Sequence, residues 1–501
     1  MARNPNVADG TLMTRRTSIH GEWSSRMAFI LAATGSAVGL GNIWRFPYIT
    51  GEGGGGAFVL VYILCVVGIG VPVMMAEIML GRRGRQSPIN TMRTLAEETG
   101  RSRLWAGMGW MGMVAGFLIL SFYSVVAGWT LAYIFRTGAG VFTGATADGV
   151  AAIFTSFIGD PERLLVWHTI FMVMTAVVVS RGVQSGLEQA VRFLMPALFV
   201  LLVAMVGYAM NTGAYQEAIT YLFKPDFSKL TGDAVLSAMG QAFFSLSLGM
   251  GAIMIYGSYL SHTASITRMA FIIALLDTLV ALLAGMAIFP LVFAYGLQPQ
   301  GGPGLIFMTL PIAFGQMPGG ALFGAAFFVL LLFAAWTSAI SLLEPIVAWL
   351  VENRGISRVK AATWSGTAVW LLGIGSLFSF NVWADYKLFD KTFFDLTDYL
   401  TSNVMLPLGG LLIAVFSVWM MSAEVSRGEL GLRDGFGYRL WRFMVRYIVP
   451  VAITLVFLLA PMPMTPAKWA FLLGSGVLVV VGLLDDIYDL RWWWRILAQA
   501  V

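Results

Sequence analysis

Apolar runs of membrane-spanning length, separated by short polar connections, recur along the whole chain. A transmembrane helix needs about 20 mostly apolar residues. By that measure spans are predicted near 25–49, 57–80, 106–135, 164–181, 188–210, 234–260, 265–296, 318–351, 359–380, 397–421, 440–460 and 468–484. The twelfth run is short, which leaves eleven crossings open. Several others are long enough to tilt or protrude. The predicted fold is an all-α polytopic membrane protein.

Composition agrees. Of 501 residues, 58% are hydrophobic and 11% charged, with a mean hydropathy of +0.79. Soluble globular chains carry roughly 45–50% apolar and about 25% charged residues, so these charges are too few to cover several water-soluble cores. The net charge of +5 is dispersed over short connections rather than gathered on one face, which argues against a nucleic-acid partner. Cys65 is the only cysteine, so no intrachain disulfide is possible. His20, His168 and His262 lie far apart, which argues against a polyhistidine metal centre and against a catalytic His–acid set; an enzyme is not expected. The chain has no N-x-Ser/Thr sequon, and its polar, basic first twenty or so residues have no apolar core of a signal peptide, so no cleavage is expected. These features point to a bacterial inner-membrane location, with the lipid bilayer as the evident partner and no obligate protein partner or organic cofactor.

Arginine and lysine in the connections set the expected orientation. Arg82, Arg83, Arg85, Arg93, Arg101 and Arg103 follow the second span; Arg354, Arg358 and Lys360 follow the eighth; Arg427, Arg433, Arg439, Arg442 and Arg446 follow the tenth. The alternate connections are mixed or acidic, with Asp148, Asp160 and Glu162, then Glu217, Lys224 and Asp226, then Asp385, Asp390 and Asp395. The N-terminus, with Arg3, Arg15 and Arg16, is therefore expected in the cytoplasm, and after twelve spans so is the C-terminus with Arg491 and Arg495.

Two spans break the helical pattern in the same way. The first carries Gly35-Ser-Ala-Val-Gly-Leu-Gly-Asn42 and the sixth Ser245-Leu-Ser-Leu-Gly-Met-Gly251. Glycine costs about 1 kcal/mol against alanine inside a helix, so such clusters at mid-membrane depth require a reason. Close helix packing is one, since Gly35 and Gly39 form a small-xxx-small pair. The spacing supplies another: clusters five spans apart enter the membrane in opposite senses, the pattern of an inverted repeat with a binding site at two broken helices. There, half-helix N-termini offer N–H groups to an anion and freed carbonyls offer oxygen to a cation.

Around these clusters the sequence resembles the neurotransmitter:sodium symporter family, in its bacterial amino-acid transporter branch. The resemblance rests on Trp23-x-x-Arg26, Gly35-Ser-Ala-Val-Gly-Leu-Gly-Asn-Ile-Trp-Arg-Phe-Pro47, Gly53-Gly-Gly-Gly-Ala-Phe58, Pro72-x-x-x-x-Glu77, Gly240-Gln-Ala-Phe-Phe-Ser-Leu-Ser-Leu-Gly249 and Ala335-Trp-Thr-Ser338, which with the gate positions named below are spread over the first ten spans. It implies a five-plus-five inverted repeat: a cytoplasmic tail at 1–24, a first repeat at 25–210, a second at 234–421, and spans eleven and twelve with the tail at 422–501. It also implies sodium-coupled symport of a small molecule by alternating access.

The resemblance further assigns two sodium sites. The first comprises the Ala37 carbonyl, Asn42, Ser245 and Asp277, completed by the substrate carboxylate; the second comprises the carbonyls of Gly35, Val38 and Ala334 with the hydroxyls of Thr337 and Ser338. Taken alone, Thr337 and Ser338 read as hydroxyls bonded back to their own helical turn, and the coincident break in span one favours the cation. Many family members have Asn where this chain has Asp277, with chloride or a nearby carboxylate supplying the negative charge; Ala281 stands where that carboxylate or a chloride-binding serine would be. Asp277 is therefore expected to supply the charge itself and make transport chloride-independent. Glu77 is expected to accept N–H groups freed where span six unwinds. Glu344, next to Pro345, reads as a partner of a helix kink, a proton-linked role being the alternative.

Gly39 occupies the position where monoamine-carrying relatives place Asp, which leaves the N–H groups of Leu40 and Gly41, with the Tyr123 hydroxyl, for a substrate carboxylate. Carbonyls of Ala37, Phe244 and Ser247 would meet an amine. The pocket is expected to be lined by Ile119, Tyr123, Phe244, Ser247, Met250, Ser338 and Leu342, and Ser245 touches it from the sodium side. None of these is charged, so charged side chains would be rejected by unpaired desolvation, and a neutral hydrophobic or aromatic L-amino acid fits best. Another zwitterion or osmolyte is the alternative; Gly39 argues against a monoamine. Arg45 and Asp398 resemble the outer gate pair above a lid of Tyr123 and Phe244, and Trp23, Ser258, Tyr259 and Glu352 the inner gate. His20 stands where the family has arginine. Either this gate is weaker and pH-sensitive, or Arg15 or Arg16 substitutes, or His20 is a solvated tail residue.

Overall fold

The computed structural model describes residues 16–297 and 305–459; the twelfth apolar run, on which the choice between eleven and twelve crossings turns, lies outside the described residues, as do Arg3, Arg15 and the C-terminal arginines. Among the described residues eight helices are long and apolar enough to cross a bilayer: Gly56–Gly84, Arg103–Gly138, Pro161–Ser180, Val183–Ala209, Ile266–Ala294, Gly320–Arg354, Arg358–Phe378 and Phe393–Met420. A ninth span is bent by 48° between Arg26–Ala37 and Gly41–Glu52. The sixth consists of two shorter helices, Gly232–Ser245 and Ala252–Ser258, joined by the non-helical 246–251. Helices from Phe436–Phe443 to Val449–Leu459 occupy the eleventh apolar run.

Local chemistry explains where these helices begin. Ser25, Asp160, Thr231, Ser265 and Ser357 each precede an apolar run, and each side chain accepts an N–H of the following first turn. Such caps contribute about 1 kcal/mol apiece. Thr392 and Asp395 form a reciprocal capping box ahead of the tenth span. Pro161 stands in a first turn, where its missing N–H costs nothing.

Spans three and eight are the most enclosed, 78% of each apolar window being buried, and they run against each other beside the broken first and sixth spans. Spans four and five are the least enclosed, at 33% and 39%, and form the periphery. At the end opposite the acidic connections, arginines that the sequence reading used only as orientation signals make specific bonds. Arg82 donates to the Ala264 carbonyl at 2.7 Å and pairs with Glu429, Arg83 pairs with Glu98 and Glu429, and Arg85 pairs with Glu22 at 3.0 Å. Short helices at Pro88–Glu98 and Ala423–Leu430 present two of these acids; the sequence reading placed both segments in connections.

Candidate functional site

The two breaks face each other in the middle of the bundle. After Gly35–Ala37 the first helix stops, leaving carbonyls without helical partners. In the sixth span the chain passes through positive φ at Ser247 (54°), Gly249 (80°) and Gly251 (78°). At Gly249 only glycine fits: a Cβ would lie 2.5 Å from the Leu406 carbonyl oxygen. The Gly249 N–H, freed by the unwinding, donates to the Glu77 carboxylate at 3.1 Å, and the Ser247 hydroxyl crosses between the breaks to the Ser36 carbonyl at 2.8 Å.

Asn42, Ser245 and Asp277 come together, all fully buried. The Asn42 amide donates to the Asp277 carboxylate at 2.8 Å, to the Asp277 carbonyl at 3.0 Å and to Ser245 Oγ at 3.0 Å; Ser245 Oγ donates to the other Asp277 oxygen at 2.6 Å. Tyr62, which the sequence reading did not single out, adds its hydroxyl, 3.4 Å from Asp277 and 3.2 Å from Ser245. Gln241, part of the Gly240–Gly249 motif but given no role there, donates its amide to the Gly41 carbonyl at 2.7 Å. Tyr62 lies on a helix that reads as a plain apolar span, and only helix packing turns it inward.

The second expected cation set converges unevenly. Ser338 Oγ lies 3.4 Å from the Gly35 carbonyl oxygen, 3.1 Å from that of Ser36 and 3.4 Å from that of Val38, so it bridges span eight to the break in span one. The Thr337 hydroxyl instead donates back to Phe333 and Ala334 carbonyls of its own helix at 3.1 and 3.0 Å. Its donor is spent within the turn, while its lone pairs stay free for a cation. Ser36 and Ser341, bonded at 2.8 Å, extend this hydroxyl line and were also missed.

Between the two sets lie the expected substrate contacts. The Leu40 N–H points at the Tyr123 hydroxyl oxygen, 3.2 Å away. A Cβ at Gly39 would meet Ser338 Oγ at 2.5 Å and the Tyr123 hydroxyl at 2.9 Å, and one at Gly41 would meet the Phe244 ring at 2.9 Å. Beyond them Met250 and Leu342 flank Gly116, one turn from Ile119, and all three side chains are buried.

The two ends differ. The Arg45 guanidinium lies over the Phe244 ring, 4.8 Å from its centre, and among the described residues no ion pair joins it to Asp398, which accepts instead from Ser402 at 2.9 Å. In this conformation the expected outer pair is not made, and the ring's negative face meets the cation instead. The opposite end is bonded shut. The Trp23 indole donates to the Tyr256 carbonyl at 3.0 Å, and the Tyr259 carbonyl accepts the Trp23 main-chain N–H at 3.0 Å. His20 is no solvated tail residue, since its side chain is 3% exposed and its Nε2 lies 3.0 Å from the Glu352 carboxylate. Arg16 does not substitute for it, being paired with Glu98 at 3.0 Å. Glu352 also accepts the Ser87 N–H and hydroxyl and the Asn90 amide. Ser258 bonds back to Ile255 through its hydroxyl and takes Arg85 on its carbonyl. Glu344, beside Pro345, is fully buried, pairs with Arg358 and accepts the Tyr259 hydroxyl at 2.6 Å.

These counts decide what His20 contributes. With three other donors on Glu352, His20→Ala should cost this end about 1–2 kcal/mol, whereas Glu352→Ala strands all four. In a background with Cys65 replaced by serine, alkylation of a cysteine introduced at Ser258 should speed up several-fold for His20→Ala and far more for Glu352→Ala. Equal rates for the two variants would refute this ranking.

Comparison with known proteins places this geometry in context. A profile of the sodium:neurotransmitter symporter family matches residues 20–143 and 155–475. The chain is similar to the uncharacterized sodium-dependent transporter YhdH of Bacillus subtilis, 42% identical over 87% of this chain and 97% of that protein. It is similar as well to the uncharacterized sodium-dependent transporter MJ1319 of Methanocaldococcus jannaschii, 31% identical over 87% and 89%. The crystal structure of MhsT in complex with L-phenylalanine matches with a TM-score of 0.83 and 45% identity, over 88% of this chain and 99% of that one.

Proposed function

Because this chain belongs to the sodium:neurotransmitter symporter family, a group of sodium-dependent membrane transporters, we propose that it carries a neutral hydrophobic or aromatic L-amino acid into the cell with sodium, without needing chloride. The observation that carries the reading is the buried Asp277 carboxylate, bonded to Ser245 and to Asn42, whose side-chain oxygen accepts the Gly39 N–H at the break in span one. Sodium, a hard cation, prefers oxygen ligands, and a substrate carboxylate held by Leu40, Gly41 and Tyr123 reaches the same place. With a shared ligand, each solute raises the other's affinity by the same factor. Inward sodium movement adds about 2.3 kcal/mol per charge per 100 mV.

The second sodium is assigned to Gly35, Val38, Ala334, Thr337 and Ser338. Charge at the first site comes from Asp277, since Ala281 offers neither a carboxylate nor a hydroxyl. The uncharged pocket of Ile119, Phe244, Met250 and Leu342 favours an apolar side chain, and the phenylalanine bound by MhsT supports that reading. We read 25–210 and 234–421 as inverted repeats and place the arginine-rich end, with the N-terminus, in the cytoplasm. Closure by Glu352 and Trp23 at that end, with the Arg45–Asp398 pair unmade, then suits loading from outside.

In proteoliposomes an inward sodium gradient should accumulate labelled phenylalanine or leucine above equilibrium, unlabelled apolar amino acids should compete, and gluconate in place of chloride should change nothing. Uptake that persists with potassium in place of sodium would reject the coupling, and loss of uptake in gluconate would reject the role of the Asp277 charge.

A further inference from the structure

A cavity of about 230 Å³ opens on the periphery of the bundle where spans four, five and eight meet at the arginine-rich end. It lies on the two helices least enclosed by protein. Its existence follows from Gly186: a side chain there would run into the Val178 carbonyl oxygen at 2.2 Å, so glycine lets the head of span five approach the tail of span four, leaving a cleft below. The walls are apolar, from Val178, Leu194, the exposed Phe193 ring and Trp336, with Phe193 and Phe333 joining spans five and eight at a ring separation of 6.4 Å.

The mouth has the opposite character. Arg181 and Gln189 both line it and both are exposed, and among the described residues neither side chain has a hydrogen bond or ion-pair partner. No acidic side chain lines the cavity; Glu188, next in sequence to Gln189, turns instead to Ser24 and Arg192. A guanidinium and a carboxamide above an apolar slot, on a lipid-facing surface, complement a phosphate ester with a hydrocarbon tail. Guanidinium groups suit phosphate oxygens geometrically, and each arginine near an anionic leaflet gives about a five-fold gain in affinity.

We propose that this groove binds an anionic phospholipid, with Arg181 and Gln189 holding the phosphate and Val178, Phe193 and Trp336 the acyl chain. The floor residue Trp336 precedes Thr337 and Ser338 in span eight, so the bound lipid rests on the span that carries the second cation set.

The test uses the full chain, purified in detergent and titrated with phosphatidylglycerol, phosphatidylcholine or inorganic phosphate, with thermal denaturation and native mass spectrometry as readouts. Phosphatidylglycerol should raise the denaturation temperature and remain bound. Arg181→Glu and the milder Arg181→Gln should weaken its apparent affinity about five-fold or more, and Arg268→Glu, exposed near the same end outside the groove, should not. The proposal is overturned if phosphatidylcholine binds as well, if inorganic phosphate competes for the site, or if both Arg181 variants bind phosphatidylglycerol like the wild type. The wild-type lipid comparison holds even if one variant fails to fold.

Discussion

Asp277→Ala should lower sodium-driven uptake by at least about 100-fold while leaving the protein inserted and folded. The carboxylate accepts from Asn42 and Ser245 and has the Tyr62 hydroxyl beside it, all in a fully buried setting. Removing it strands donors at about 1–3 kcal/mol each and removes the ionised group proposed to face sodium. Insertion does not suffer, because a mid-membrane aspartate itself costs about 2.5–3.5 kcal/mol. Asp277→Asn separates the two effects. It keeps a group of the same shape for Asn42 and Ser245 and removes the charge, so stability should match the wild type while the sodium dependence of uptake shifts at least ten-fold to higher concentration. Unchanged sodium dependence in Asp277→Asn would leave the carboxylate a purely structural group.

Gly39→Ala should reduce amino-acid uptake at least ten-fold, and Gly39→Asp should abolish it. The added Cβ would sit 2.5 Å from Ser338 Oγ and 2.9 Å from the Tyr123 hydroxyl. Neither neighbour can give way cheaply. Ser338 Oγ is held among the carbonyls of Gly35, Ser36 and Val38, and the Tyr123 oxygen accepts the Leu40 N–H. Displacing Ser338 disturbs the second cation set and displacing Tyr123 disturbs the carboxylate contact, so substrate and sodium dependence should deteriorate together. Sodium-dependent binding of labelled amino acid, with thermal denaturation as the folding control, reads both. Wild-type binding in Gly39→Ala would show that the first break is not the substrate site.

The spans and the two breaks could be read from sequence because their causes are local. Apolar runs of about 20 residues have no other use for so many hydrophobic side chains, and paired glycine clusters mark where helices are weakest. The structure moves the boundaries of most intact spans by a few residues only, as in the third, predicted at 106–135 and found at Arg103–Gly138. Serine, threonine and aspartate caps such as Ser25, Asp160 and Ser357 act within one turn of themselves, so their cause is local as well.

What the sequence by itself determined is therefore a bundle of membrane helices, broken at Gly35–Asn42 and Ser245–Gly251, with an acid, an amide and hydroxyls available near the breaks. Tertiary structure alone decided which polar groups meet. Tyr62 reaches Asp277 from 215 residues away, His20 reaches Glu352 from 332, and Arg358 finds Glu344 across a turn that a kink would equally explain. It also decided that Arg45 lies over Phe244 rather than against Asp398, and that one face of spans four and five opens into a cleft. The physical reason is the same each time. Helix formation and hydrophobic length depend on residues a few positions apart, whereas a buried polar group must take whatever partner the packed neighbouring helices bring within about 3 Å.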